Sequence, residues 1–203
     1  MLGPRSRSIA EDLRGGFAEV VRSVSSCQRT SAVNEIDALF RRLSAGVYVI
    51  GAAQGERRGA FTAAWVMQAS YDPPLIALSV NPNHATYPLL KESRTFTVSV
   101  LKAGQLELAR RFGTQSGRDL DKLAGIQWRP TPTGAPILDD ALAFFECEVV
   151  QSVPAGDHEL VIGHVVAGAI LDHEAAPMAY AETGDMDGSS ALYPAAGLSR
   201  RQS

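Results

Sequence analysis

Two neighbouring stretches decide the fold: GAFTAAWVMQASY at residues 59–71 and LIALSV at residues 75–80, separated by Asp72-Pro73-Pro74. In the first stretch apolar residues alternate with small or partly polar ones. This period of two predicts one strand over 59–71, with one face toward the core and the other lining a pocket. The prolines end that strand, so the two stretches are predicted to pair as a hairpin. The predicted core face consists of Phe61, Ala63, Trp65, Met67, Ala69 and Tyr71.

Short β-branched and aromatic runs continue along the chain, separated by turn signals. Strands close together, without regular alternation with long helices, favour a closed or nearly closed antiparallel barrel over a doubly wound parallel sheet. Further strands are predicted at 47–53, 95–101, 142–151 and 160–170. Helical spacing predicts short helices at 34–43, 86–92 and 105–112, and a marginal helix at 8–24 that Gly15 and Gly16 interrupt.

The composition is that of an ordinary globular chain, with 203 residues of which 45% are apolar and 20% charged. Cys27 and Cys147 lie far apart and form no CxxC pair. This spacing argues against a zinc ribbon or a disulfide scaffold, and we expect a cytoplasmic protein. We predict an N-terminal extension at 1–33, one domain at 34–183 and a C-terminal extension at 184–203.

Charge and hydropathy exclude two classes of partner. The formal net charge is -3, and the only excess of positive charge lies in the first 33 residues. Without a basic face, binding to nucleic acid is not expected. The longest apolar run, Leu160–Leu171, falls short of the roughly 20 residues that a membrane span requires, so no membrane partner is expected.

Several familiar motifs are missing from the sequence. There is no GxGxxG turn, no phosphate-binding P-loop and no nucleophile elbow. His158 and His164 share a strand face but are separated by roughly 20 Å along an extended strand, so one metal ion cannot bridge them. We therefore expect no metal site.

The small strand face around Thr62 and Ala64 would let a planar ligand approach the backbone. A flavin ring needs such backbone groups together with an apolar wall, for which Trp65 and Phe112 are candidates. Thr86 and Arg111 are candidates for a phosphate. From the residues alone, an ordinary core strand, a helix cap and solvated arginines at a helix end are the preferred explanation.

Several segments, taken in order, resemble one known family. They are Phe40–Val47, Phe61–Trp65, Tyr71–Leu75, Ser93–Leu101, Leu108–Phe112, Gly134–Leu138, Glu146-Cys147 and Ala155–Val165. Together they make residues 39 to about 183 similar to the flavin reductase-like domain, the FMN-binding split-barrel reductases that supply reduced flavin to monooxygenases.

This resemblance implies a mainly β fold, a six-stranded Greek-key split barrel with short peripheral helices. It also implies a homodimer with FMN, or FAD, near the subunit interface. The implied reaction passes hydride from C4 of NADH or NADPH to N5 of the flavin, with a monooxygenase component as a possible recipient of the reduced flavin.

The resemblance also implies roles for particular residues. His158 is carried over as the catalytic residue, near the flavin face and the nicotinamide, although a local hydrogen bond at a strand end is the alternative. The implied cofactor-binding residues are Thr62, Ala63, Ala64, Trp65, Ser79, Val80, Asn81, Thr86, Arg111 and Phe112.

The sequence departs from the family pattern at the predicted phosphate loop. Where the family tends to have Ser-Arg-Thr-His, this chain has His84-Ala85-Thr86-Tyr87. The missing arginine could be replaced by a protonated His84, or by Asn83 with backbone N–H groups. In addition, Ala64 stands where the family has serine, which removes a hydroxyl from the ring's surroundings.

Three functions remain open at this point. The first is an NAD(P)H:flavin oxidoreductase. The second is a flavin-bound electron-transfer module that works with a protein partner and has little NAD(P)H turnover. The third is a split-barrel protein that has lost flavin binding and keeps a structural role.

Overall fold

The computed structural model describes residues 33–115 and 120–193. The chain divides into a compact unit at Leu39–Leu192, which contains every strand described below, and a second unit at Met1–Ala38 with Tyr193–Ser203. The helix predicted at 8–24 lies outside the described residues. The domain boundaries at 33/34 and 183/184 stay predictions.

Nine strands and three α-helices make up the described chain. The helices are α1 (Val33–Phe40), α2 (Tyr87–Ser93) and α3 (Leu106–Thr114), and 3-10 turns follow at Tyr180–Thr183 and Ser189–Leu192. The strands are β1 (Tyr48–Gln54), β2 (Arg57–Ala63), β3 (Val66–Ser70), β4 (Leu75–Val80), β5 (Thr95–Val100), β6 (Trp128–Pro130), β7 (Pro136–Leu138), β8 (Ala143–Ala155) and β9 (His158–Ile170).

Seven of the strands form one antiparallel sheet in the order β2-β1-β5-β8-β9-β4-β3, and β6 pairs with β7 separately. The mainly β, antiparallel architecture is thus confirmed. The expected count of six barrel strands was wrong, and the sheet is not closed, since β2 and β3 stand at its opposite ends. The short pair β6–β7 was not predicted, because three-residue strands carry too little periodicity to be recognised.

The connection between the edge strands shows how strongly the sheet curls. In a flat sheet of seven strands, the two edges would be about 29 Å apart. Only Ala64 and Trp65 separate β2 from β3, and such a link reaches at most about 11 Å. The sheet must therefore curl until its edges face each other, which leaves a gap at these two residues.

The prediction of one strand over 59–71 was wrong. The chain leaves β1 after Ala63 and pairs with β4 from Val66 onward, and the Trp65 carbonyl accepts a hydrogen bond from the Ser79 N–H at 2.9 Å. Trp65, Met67 and Tyr71 are accordingly not core residues, because their exposed fractions are 53%, 67% and 90%. Ala69, which was predicted to share this core face, is exposed as well, and β3 lies at the edge of the sheet.

The other sequence-based elements are largely confirmed. The hairpin of β3 and β4 forms, with Val66 opposite Leu78, and Asp72-Pro73 in its turn is a cis peptide. The strands and helices predicted beyond it differ from the observed ones by a few residues at their ends. The helix predicted at 34–43 ends at Phe40, and Leu43 is exposed beyond it.

Two apolar clusters lie on opposite faces of the sheet, as alternation along β1 requires. Ile50 belongs to a cluster that α2 covers with Leu89 and Leu90. Val49 belongs to a second cluster, which contains Phe112 of α3. The helices α2 and α3 therefore pack on opposite faces of the sheet. None of the three described α-helices is long and apolar enough to cross a membrane.

Candidate functional site

A cleft of about 370 Å³ opens at the gap between the sheet edges. Its walls come from the end of β2 with the following Ala64 and Trp65, from the loop after β4, from His158 at the start of β9, and from the segment Tyr180–Leu192. Its volume lies within the range of roughly 300–1,000 Å³ that is typical of ligand pockets.

The crossing from β2 to β3 supplies a wall of small side chains. Ala63 and Ala64 line the cleft, and their small side chains leave room for a flat ligand to lie against this wall. The Trp65 indole follows, and its ring lies 4.8 Å from that of His158 with the planes inclined at 45°. The His158 Nδ1 in turn lies 2.9 Å from the Asp157 carboxylate, which fixes the orientation of the imidazole.

Polar groups on the loop after β4 face the same cleft. The Asn81 side-chain oxygen accepts a hydrogen bond from the Asn83 N–H at 2.9 Å, and the Asn81 carbonyl accepts one from the His84 N–H at 3.1 Å. Because its oxygen holds this turn, Asn81 retains its NH2 group for a ligand. Ser79 adds a hydroxyl that can donate or accept.

His84 stacks on Phe61, with ring centroids 4.7 Å apart and planes 19° from parallel. Burial lowers the pKa of His84 below 6.5, and the nearby charges of Lys122 and His158 lower it further. The imidazole is therefore mainly neutral at pH 7. This result argues against a protonated His84 as the replacement for the missing arginine.

Thr62 lines the cleft, but its hydroxyl is already engaged, because it donates a hydrogen bond to the Ala109 carbonyl of α3 at 2.7 Å. Gly113 of the same helix lies close by, where an added Cβ would meet the Thr62 Cβ at 3.4 Å. Thr62 thus offers the cleft mainly its methyl group and its backbone.

Sequence reasoning missed the contribution of the segment after Tyr180. The Tyr180 hydroxyl donates to the Asp187 carboxylate at 2.9 Å, and the Ser189 N–H donates to the same carboxylate at 3.0 Å. Arg41 anchors the segment through the Gly184 carbonyl at 2.6 Å and Asp185 at 2.8 Å. The segment is aperiodic and held by polar contacts, so no sequence signal marked it.

The predicted site residues divide into two groups. Seven line the cleft together: Thr62, Ala63, Ala64, Trp65, Ser79, Asn81 and His158. Four do not: Val80 and Phe112 are buried in the two cores, Arg111 donates to the Lys122 and Ala124 carbonyls, and Thr86 lines a neighbouring cleft. The roles assigned to all eleven residues stay predictions.

The cleft carries little positive charge. Among the described residues, no lysine or arginine lines it, whereas the Asp187 carboxylate does. No group of three or more possible metal-ligating side chains was found within residues 33–115 and 120–193. The cleft is thus best suited to an uncharged, flat group with hydrogen-bonding edges.

The chain belongs to the flavin reductase like domain family, whose model matches residues 40–189. It is 36% identical over 155 residues to the putative diflavin flavoprotein A 3 of Nostoc sp., a match that covers 76% of this chain and 27% of that protein. The chain therefore spans only about a quarter of the length of that relative.

A second relative is closer to this chain in length. The FMN reductase (NADH) RutF of Variovorax paradoxus is 34% identical over 129 residues, which are 64% of this chain and 71% of that protein. Among solved structures, the nitrilotriacetate monooxygenase component B homologue from Mycobacterium thermoresistibile has a TM-score of 0.64 and 29% identity, covering 71% of this chain and 82% of that one.

Proposed function

We propose that the cleft binds the ring of FMN, with FAD as a possible alternative, and that the protein reduces this flavin with NADH or NADPH. The observation that carries the proposal is the composition of the cleft at the gap between β2 and β3. There the small side chains of Ala63 and Ala64, the aromatic pair of Trp65 and His158, and the amide of Asn81 line one cleft.

The residues present fit a flavin ring. Such a ring offers hydrogen-bond acceptors and a donor along one edge and apolar surfaces on its faces. Ser79 and Asn81 can satisfy the edge, and Trp65 can cover an apolar part. The cleft supplies no cation for a phosphate, so the fit concerns the ring alone.

When bound, the flavin supplies a hydride acceptor at N5 for the nicotinamide C4. The residues of the chain are proposed to act by holding the two rings in contact, since alignment at about 3–3.5 Å accounts for much of the rate of such a step. We propose that His158, oriented by Asp157, bounds the nicotinamide position. The Tyr180–Leu192 segment would exclude water from the opposite side.

The reduced flavin is proposed to pass to a monooxygenase component or another acceptor. Support comes from the structural likeness to a protein named as a component of nitrilotriacetate monooxygenase. The RutF relative, named as an NADH-dependent FMN reductase, supports the same class of reaction. We also propose a cytoplasmic location, as expected from the cysteine content.

We further propose that two copies associate as a homodimer. β3 is an edge strand, and Met67 on it and Tyr71 directly after it are exposed, as are Val166 and Ile170 in the outer half of β9. Exposed apolar edges of this kind favour pairing with another chain. Light scattering of the eluted protein should give twice the mass of one chain, and a monomer at all concentrations would contradict the dimer.

A second candidate is a flavin-bound electron-transfer module with a protein partner. It is favoured by the diflavin relative, in which the matching part is about a quarter of a longer protein. Steady-state assays with FMN, FAD and riboflavin separate the two candidates. Flavin-dependent oxidation of NADH or NADPH supports the reductase, whereas tight flavin copurification with negligible nicotinamide turnover supports the module.

A further inference from the structure

The carboxylate of Asp187 lies in the wall of the cleft where the flavin ring is proposed to bind. Asp187 belongs to the segment Tyr180–Leu192 and lines the same cleft as Ala64 and Asn81. The other described residues that line this cleft include no lysine or arginine and no second carboxylate. Asp187 therefore places a negative charge beside the ring position, and no lysine or arginine of the cleft offsets it.

Two hydrogen bonds hold this carboxylate in place. The Tyr180 hydroxyl donates to one of its oxygens at 2.9 Å, and the Ser189 N–H donates to the other at 3.0 Å. Burial raises the pKa of Tyr180 above its ordinary value of 10, so the phenol keeps the proton that it donates. Both donors are uncharged, and they therefore orient the carboxylate without cancelling its charge.

The neighbouring cations are engaged elsewhere. Arg41, which anchors the segment, is paired with Asp185 at 2.8 Å. Lys122 lines a neighbouring cleft and not this one. In the described part of the chain, Asp187 takes part in no ion pair. Its charge is therefore available to act on a ligand in the cleft.

The proposed reaction changes the charge of that ligand. The C4–H bond of the dihydronicotinamide breaks, an N5–H bond forms, and two electrons and one proton pass to the flavin ring. The nicotinamide becomes a pyridinium cation, and the ring, which is neutral when oxidised, gains a negative charge. A fixed carboxylate nearby repels the reduced ring and has no net charge to repel on the oxidised one.

We infer that Asp187 determines which oxidation state of the flavin the cleft prefers: it favours the oxidised ring and promotes release of the reduced one to its acceptor. The inference rests on the proposed function, since it concerns the ring that occupies this cleft. It assigns to Asp187 the part of the reaction that follows hydride transfer, in which the product has to leave.

The test compares the binding of oxidised and reduced riboflavin. Riboflavin carries no phosphate, so the charge of the ring is the charge that differs between the two titrations. We choose pH 8, where histidine side chains are ordinarily uncharged, low salt and the absence of oxygen. The unmodified protein should bind reduced riboflavin at least fivefold more weakly than oxidised riboflavin. Because salt screens an exposed charge, this ratio should shrink in 0.5 M NaCl.

Asp187→Asn should tighten the binding of reduced riboflavin about fivefold and change that of oxidised riboflavin less than twofold. The amide oxygen can still accept one of the two hydrogen bonds. A fivefold change in the ratio of the two Kd values corresponds to a rise of about 20 mV in the reduction potential of the bound flavin, since tenfold is about 30 mV for two electrons. Spectroelectrochemical titration at saturating protein measures this potential independently.

Two further variants separate charge from structure. Asp187→Glu keeps the charge and should preserve the preference for oxidised riboflavin. Glu182→Gln is the matched control, because it removes the same charge from the same segment, but Glu182 does not line the cleft. Its side chain accepts the Ala179 N–H at 2.7 Å, which glutamine can also do. The ratio of the two Kd values should change less than twofold in Glu182→Gln.

The inference would be overturned by equal binding of both oxidation states to the unmodified protein, or by the same ratio in Asp187→Asn and Glu182→Gln. Parallel weakening of both states in Asp187→Asn would also overturn it, because Asp187 would then only support the structure of the segment. In each of these cases flavin binding in the cleft survives. Failure of oxidised riboflavin to bind the unmodified protein would instead contradict the proposed function, and this inference with it.

Discussion

The indole of Trp65 contacts the imidazole of His158, with ring centroids 4.8 Å apart. Trp65 lies in the short link between the two edge strands, and His158 is the first residue of β9. The contact therefore spans the gap that the curl of the sheet leaves open. It bounds the cleft at the place where we propose that the two reacting rings meet.

His158→Gln is expected to lower kcat for flavin reduction by roughly tenfold while changing the Kd for riboflavin less than threefold. The side chain is proposed to align the nicotinamide, and a misplacement of about 1 Å can cost up to a hundredfold in rate. His164→Gln is the control, since His164 lies on the same strand but does not line the cleft. Equal kcat values in the two variants would contradict the proposal that His158 aligns the nicotinamide.

Thr62→Tyr is expected to fill the ring position and weaken riboflavin binding at least thirtyfold. Thr62 packs against Ala109 and Gly113 of α3, so a large side chain can turn only toward the cleft. Ala64→Phe should also fill the ring position and weaken riboflavin binding. This variant tests the same prediction if Thr62→Tyr does not fold. Thr114→Tyr, on the exposed end of α3, should bind riboflavin normally. Unchanged affinity in both cleft variants would contradict the placement of the ring.

The lowered pKa of His84 makes stability depend on pH on the acid side. The unfolded chain takes up a proton near pH 6.5, whereas the folded chain does so only at lower pH, because burial disfavours the charged imidazole. The free energy of unfolding should therefore fall as the pH drops through 6.5, and His84→Gln should reduce this fall. NMR titration of the imidazole gives the check, and a midpoint at or above 6.5 would be inconsistent with the buried stack on Phe61.

Tyr87 contributes to the pH dependence of stability on the alkaline side. Burial, followed by its hydrogen bond to the Glu159 carboxylate, raises the pKa of Tyr87 to about 12. The unfolded chain loses this proton near pH 10, so the stability that the phenol contributes should disappear between pH 10 and about 12. Tyr87→Phe should flatten that decline in urea denaturation, whereas Tyr71→Phe, at an exposed tyrosine, should not. Parallel declines in both variants would show that the Tyr87–Glu159 contact is not responsible.

Gly51→Ala is expected to lower the free energy of unfolding by about 2–3 kcal/mol. A Cβ at this position of β1 would lie 2.5 Å from the Thr97 Oγ1, which donates to the Pro136 carbonyl at 2.6 Å. Gly113→Ala should be nearly neutral, because the nearest atom lies at 3.4 Å and alanine favours the helix. Equal stability of the two variants would contradict the close packing of β1 against β7.

The sequence was informative where local signals determine the structure. The Asp-Pro-Pro break correctly predicted the hairpin of β3 and β4. Thr62 and Ala64, which were expected to face a ligand, line the cleft. These features depend on alternation and on turn residues, which can be read within a few positions of the chain.

Features that depend on distant neighbours could not be predicted in this way. Apolar and polar residues alternate without interruption over 59–71, yet the first half of this run pairs with β1 and the second half with β4. The change of partner depends on the curl of the sheet, which has no signal within the run itself. In the same way, the hydrogen bonds of Arg111 to two loop carbonyls, and the packing of Tyr180–Leu192 on the cleft, depend on contacts with no local signature.

The central claim is that the cleft at the gap between β2 and β3 holds a flavin ring and brings a nicotinamide to it. Anaerobic stopped-flow mixing of the protein and riboflavin with NADH or NADPH, followed at the flavin absorbance band, tests it most directly. We expect rapid bleaching of the flavin with the unmodified protein and its loss with Thr62→Tyr and Ala64→Phe. Bleaching no faster than without protein for both nicotinamides, or equal rates in the unmodified protein and both variants, would contradict the claim.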